Sequence, residues 1–310
     1  MRAVKAAADG VVVVDTDEPE DAGELIRISS AGVCASDFAY IGWGSEQILG
    51  HELAGVTQDG RAVVVEGIFG CGACERCDRG EYNLCTRAGL DVLGLTTPGG
   101  MSEWFRAPTR CVVALPDDLP VTDASLVEPG SVAWHGCRVA DVGPDTRVAI
   151  VGAGAIGLLA ITCAQAQGAT DVALEARHPH QREVGERLGA TIASGEYDVV
   201  LEMGGSASSL ARAVELARPG GTVVVTGVHQ PETPWPYTEM MVKQLHTISP
   251  VGYSNSPRGR EFDDVAQLLA RRPEIAAALI THRFPIDDAA EAFRVAGDKS
   301  TGALRVVIHP

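Results

Sequence analysis

The sequence predicts an α/β protein in which a doubly wound parallel sheet is joined to a second, strand-rich domain. Three observations carry this. Arg147–Gly157, RVAIVGAGAIG, is a short β-branched apolar run that stops at a glycine cluster just ahead of a helical pattern. All-apolar stretches follow at Asp198–Gly205 and Gly220–Gly227, separated by the helical Ala207–Ala217, as a parallel sheet covered on both faces requires. Before the glycine cluster the chain reads instead as short alternating strands with cysteine and histidine at metal-ligand spacings. With 310 residues, 45% of them hydrophobic, the chain can bury two ordinary cores.

In chain order, Gly10–Val14 and Glu24–Ile28 read as antiparallel strands on either side of the acidic stretch Asp15–Asp21. Cys34 follows directly on a strand end, and His51, in Gly50-His51-Glu52, comes 17 residues after it. Alone, Cys34 reads as a buried apolar thiol and His51 as a core histidine. Together, cysteine, histidine and carboxylate form a zinc ligand set that leaves a fourth position open. Ser36, just ahead of Asp37-Phe38, suits a helix N-cap. Cys71, Cys74, Cys77 and Cys85 stand at spacings of three, three and eight. Four thiolates so placed make a closed tetrahedral zinc site holding a loop with little core of its own, and the pattern lacks the continuation of a ferredoxin-type cluster.

A helix is expected over Val132–Val139, after Glu128. In the fingerprint Gly152 permits the turn, Gly154 lets backbone approach a pyrophosphate, and Gly157 lets the helix pack on its strand. Ala155 and Ile156 form the helix N-terminus aimed at negative charge. Leu158–Ile161 and Ala164 continue an apolar helix face, Gly168 ends it, and Asp171–Leu174 starts the next strand. At that strand's end, Ala176 takes the usual place of the acid that holds the ribose of NAD, and Arg177 follows. Alanine removes repulsion against a 2′-phosphate and a guanidinium binds it bidentately, so NADP(H) is favoured over NAD(H). Glu175 reaches a ribose, as NAD requires, if the strand is registered one residue differently. Gly204 and Gly227 read as cofactor neighbours or as simple turn glycines. Leu245–Gly252 reads as a strand, Glu261–Ala270 as a helix, and Ile280–Pro285, Asp287–Phe293 and Ala303–Ile308 as strand, helix and strand.

A net charge of -16 with a pI near 4.9 and no basic stripe exclude a phosphate-backbone partner. The N-terminal apolar run is too short for a signal peptide and no window approaches a membrane span, so a soluble cytoplasmic protein is expected.

The Gly-His-Glu motif, the four-cysteine lobe and the glycine fingerprint, in this order, resemble the zinc-dependent medium-chain alcohol dehydrogenases. Ser125–His135, SLVEPGSVAWH, is similar to their sorbitol and threonine dehydrogenase branch. The resemblance spans essentially the whole chain. It implies a GroES-like, mainly-β catalytic domain over 1–120 and 254–310, with a zinc lobe at about 67–90, and a Rossmann domain over 121–253. It implies a catalytic zinc on Cys34 and His51 and a structural zinc on Cys71, Cys74, Cys77 and Cys85. Glu52 is implied as a further ligand, and Glu128 matches a glutamate that binds the zinc or its water; the two are not ranked, and Glu52 pairing with an internal arginine is the alternative. Ser36 matches a hydroxyl between substrate oxygen and cofactor ribose, and Tyr40 lines the pocket. The chain departs from the family at Ala39, where a relay histidine is usual, and in the short segment Val56–Ala62.

The resemblance implies hydride transfer between NADP(H) and a secondary alcohol or ketone, the substrate a polyol, sugar or amino-alcohol. A zinc-containing NADPH reductase of an activated C=C or C=N bond is a second reading, and a non-catalytic nucleotide-binding member of the family a third. The region around Leu245–Tyr253 is implied to meet a partner subunit in a homodimer or homotetramer.

Overall fold

A computed structural model of the protein describes residues 1–7, 10–20, 22–86 and 91–310. Asp21, at the end of the acidic stretch, and 87–90, at the end of the cysteine lobe, lie outside the described residues. Two compact units form, Met1–Pro129 with Ser254–Pro310, and Gly130–Tyr253. Residues 121–129, assigned above to the Rossmann domain, therefore belong to the first unit. The reason is local packing: Ser30 Oγ donates to Val121 O at 2.8 Å, and Arg283 binds the Asp123 carboxylate at 2.6 Å. The helix expected from Val132 already begins at Val127, with Glu128 in its first turn, where a carboxylate favours the exposed N–H groups.

In the first unit, one mixed sheet carries the site. Its order is Ile280–Pro285, Arg305–His309, Glu24–Gly32, Glu52–Thr57, Ala62–Val65 and Val112–Ala114, with Trp104–Ala107 also pairing Glu24–Gly32. Within Val56–Ala62 the chain turns over 58–61, closed by Thr57 N donating to Arg61 O at 3.0 Å, so the two strands it joins pair directly. Ile26, Ile28, Leu53, Val63 and Val65 form the core of this unit with Phe293 and Ile308, the helix Ala289–Gly297 covering one face. The alternation of these apolar positions gives each strand one buried face.

The second unit is a six-stranded parallel sheet. Its strands are β1 (Arg147–Val151), β2 (Asp171–Glu175), β3 (Thr191–Ile192), β4 (Tyr197–Glu202), β5 (Ala217–Val225) and β6 (His246–Ile248), in the order β3-β2-β1-β4-β5-β6. That order reverses direction of travel between β1 and β4, the point at which open α/β sheets bind ligands. Ala149, Val151, Val200, Val223 and Val225 pack with Leu210, Ala213 and Val214 of the helix Ala207–Leu216. β6 is shorter than the expected Leu245–Gly252, because Pro250 offers no N–H to a ladder. Among the described residues no helix is long and apolar enough to cross a membrane.

Candidate active site and dinucleotide site

In the first unit, strand register brings the metal-type residues together. Gly32 pairs with Glu52 and Ala31 with Leu53, so Cys34, two residues beyond one strand end, meets His51, one residue before the other. Cys34, His51 and Glu52 offer ligand atoms that all lie within 4.8 Å of one another. A Cβ on Gly32 would meet the ends of the Glu52 and Arg305 side chains, which would have to shift to admit it.

Cys34 is the N-cap of the helix Ala35–Gly42, and Asp37 Oδ2 accepts from its N–H at 2.9 Å, closing the first turn. Ser36 and Tyr40 stand one turn apart on this helix and face the same neighbour. Ser36 Oγ lies 3.1 Å from His51 Nε2, and the Tyr40 ring centroid 5.6 Å from that of His51. Ser36 is thus not the N-cap. Asp37, fully buried, sets Oδ1 3.3 Å from His51 Nδ1. Against the effect of burial, Asp37 and Cys34 hold the His51 imidazole well above its usual pKa. Burial pushes the Cys34 thiol up, but facing His51 outweighs it and brings the thiol down to about 7.

Glu52 forms a buried ion pair with Arg305, the internal arginine the sequence left unspecified. Glu128, also buried, is not a member of the Cys34–His51–Glu52 group. The donor set of sulfur, nitrogen and carboxylate suits zinc, and His51 Nδ1 and Asp37 Oδ1 lack hydrogen-bond geometry within the described residues.

The second cluster is closed. Cys71, Cys74, Cys77 and Cys85 also lie within 4.8 Å of one another at sulfur, with Cys74 Sγ 3.6 Å from Cys77 Sγ and 4.0 Å from Cys85 Sγ. The Cys71 N–H donates to Cys85 Sγ at 3.3 Å, a contact that favours a thiolate. The lobe is tied to its unit through Glu66, which accepts from Tyr82 Oη at 2.6 Å and from Arg260 at 2.9 Å.

In the second unit, Gly152 leaves β1 at φ 109° and Gly154 caps the helix Ala155–Ala166. A Cβ on Gly157 would overlap the carbonyl oxygen of Gly152, so helix and turn close up only around glycine. Ala155 and Ile156 are half-buried, and the helix is buried from Gly157 through Ala164. At the end of β2, Ala176 is buried and Arg177 exposed. Glu175 pairs with Arg212, whose Nε and Nη2 both reach Oε2 at 3.1 Å. Gly204 and Gly205 donate their N–H groups to Glu202 Oε1 at 2.8 Å, and Gly227 N donates to Glu202 O at 3.0 Å. The Gly204 and Gly227 N–H groups are therefore committed within the unit. Arg305, Asp37, Arg212, Glu202 and His229 were not singled out in the sequence. Of these, only Asp37 had a local signal, its place three residues after Cys34.

Comparison with known proteins agrees with this architecture. Residues 20–117 match the alcohol dehydrogenase GroES-like domain, and residues 123–308 match the glucose dehydrogenase C-terminus. The chain is 29% identical to galactitol 1-phosphate 5-dehydrogenase of Escherichia coli strain K12, covering 95% of this chain and 96% of that protein. It is 28% identical to sorbitol dehydrogenase of Bacillus subtilis strain 168, covering 92% and 90%. The crystal structure of galactitol-1-phosphate dehydrogenase from Escherichia coli superimposes with a TM-score of 0.90 at 28% identity over the full length of both chains. The chain belongs to the zinc-dependent medium-chain alcohol dehydrogenases, in their sorbitol dehydrogenase branch. It is an alcohol oxidoreductase that uses a nicotinamide cofactor.

Proposed function

We propose that the protein transfers a hydride between NADP(H) and a secondary alcohol of a polyol or sugar, with one catalytic and one structural zinc. The observation that carries this is the convergence of Cys34, His51 and Glu52 within 4.8 Å, with Ser36 Oγ 3.1 Å from the imidazole. Cys34, His51 and Glu52 would hold the catalytic ion, and Cys71, Cys74, Cys77 and Cys85 the structural one. Zinc supplies Lewis acidity toward an alcohol or carbonyl oxygen, and the nicotinamide supplies the hydride acceptor.

The chain's own residues do the rest. Asp37, with Oδ1 3.3 Å from His51 Nδ1, favours by its charge the imidazole orientation that turns Nε2 toward Ser36. Ser36 Oγ takes the hydroxyl proton of the substrate and hands it to solvent water, since at Ala39 no side chain continues the relay. Tyr40 closes one side of the pocket against His51. Glu52 is preferred to Glu128 as third ligand because it stands in the three-residue group, and its Arg305 partner neutralises it when the ion is absent. Polyols are favoured because galactitol 1-phosphate 5-dehydrogenase and sorbitol dehydrogenase are among the relatives. Ala176 and Arg177 at the end of β2 support NADP(H). The zinc-loaded protein is expected to reduce NADP⁺ in the presence of sugar alcohols; turnover confined to enones or iminium compounds would overturn the assignment.

The proposed assembly is a homodimer or homotetramer. β6 is an edge strand, and Trp235, Tyr237, Met241, Val242 and Val251 are exposed in the segments flanking it. Light scattering is expected to return about two or four times the chain mass; a monomer at micromolar concentration would exclude this.

A further inference from the structure

Glu202 is the last residue of β4, level with Val151 of β1 and Val225 of β5, and it is fully buried. Its Oε1 accepts from two backbone N–H groups, and Oε2 faces His229 Nε2 at 2.8 Å. A buried carboxylate so surrounded is satisfied. His229 is not. Its side chain is only 10% exposed, and with Nε2–H donating to the carboxylate the neutral ring carries its lone pair on Nδ1. That atom is buried and has no hydrogen-bond partner among the described residues. The same holds for Oγ1 of Thr226, the residue that follows β5. Buried polar atoms are nearly always paired, so two orphans at the carboxyl ends of the central strands mark a place where a ligand completes the bonding.

The sheet order says which part of the ligand. The pyrophosphate belongs at the fingerprint turn after β1, and the adenosine ribose at the end of β2. β4 and β5 lie on the opposite side of β1 from β2. The remaining half of the dinucleotide must therefore extend over the ends of β4 and β5. We propose that His229, held by Glu202, is a cofactor-binding residue whose Nδ1 accepts a hydrogen bond from an N–H or O–H of the nicotinamide riboside. The bond adds to affinity for the intact dinucleotide and orients the nicotinamide ring; Glu202 is a positioning residue.

This rests on the second unit binding the dinucleotide, which titration of the wild-type protein tests separately. The probes are NADPH or NADH, whichever binds more tightly, and the matching adenosine half, 2′,5′-ADP or ADP. His229→Gln keeps an N–H for Glu202 but has no acceptor at the Nδ1 position. Its dinucleotide Kd is expected to rise about threefold to tenfold, with the Kd of the adenosine half and the melting temperature of the free protein unchanged. His229→Asn restores a polar atom at the Nδ1 position but loses the Glu202 bond. It is expected to lower the melting temperature while the ratio of the two affinities stays near wild type. Unchanged dinucleotide affinity in His229→Gln, or an equal loss for both probes, overturns the proposal. So does a ratio that falls as far in His229→Asn as in His229→Gln. A wild-type protein that binds neither dinucleotide overturns the cofactor reading itself.

Discussion

Cys34→Ser is expected to lower polyol oxidation by about 10²- to 10³-fold, since Lewis-acid stabilisation is worth several kcal/mol. Zinc content should fall from about two ions per chain to about one, because the four-cysteine lobe is a separate closed site. The reasoning starts from the surroundings of the thiol. His51 and Arg305 hold positive charge toward Cys34, and its thiol titrates at about 7 despite burial, so the thiolate needed by a metal is accessible near neutrality. A serine hydroxyl keeps the size of the side chain but does not ionise in that range, and it is a poor partner for zinc. The fold should survive, as the backbone N–H at position 34 still donates to Asp37 Oδ2 and a serine hydroxyl is a favoured N-cap acceptor for the helix Ala35–Gly42. Metal analysis and steady-state rates on the same preparation test this. Full activity with unchanged zinc would remove Cys34 from the site.

The site was legible in the sequence to the extent that its residues announce themselves locally. Cys34, Ser36 and Asp37 open a helix after a strand, and His51 and Glu52 enter the next strand, so a hairpin-like register suffices to bring them together. The four lobe cysteines fall within fifteen positions, and the fingerprint glycines within six. What escaped is what long-range pairing decides. Arg305 reaches Glu52 only because the strand Arg305–His309 lies beside Glu24–Gly32, which in turn pairs Glu52–Thr57. Nothing near either residue encodes that adjacency. The same is true of Glu175 with Arg212 and of Glu202 with His229, pairs made by side chains that follow different strands of the sheet. The limit expected at 121 differs from the observed one at 129 for a related reason: the polar anchors that tie 121–123 to the first unit, Ser30 and Arg283, are about 90 and 160 residues away in the chain.

Arg177→Ala should weaken NADPH binding by about 10- to 100-fold while leaving NADH within about twofold, since a charge-assisted bidentate contact is what the substitution removes. Two groups at the end of β2 compete to define the ribose site. Glu175 would favour the free hydroxyls of NAD, but Arg212 holds Oε2 through two nitrogens at 3.1 Å. With Glu175 and Arg212 41% and 32% exposed, that pair adds little stability. It does cancel the charge that would repel a 2′-phosphate. Ala176 adds none, and Arg177 is an exposed cation at the strand end, free to take a phosphate if one is offered. Ala176→Asp combined with Arg177→Ala should therefore invert the preference, the carboxylate accepting from ribose hydroxyls and rejecting the phosphate. Competitive titration with both reduced cofactors reads the ratio directly. If Arg177→Ala leaves it unchanged, Arg177 is only a solvated strand-end cation, and Glu175 becomes the residue to substitute next.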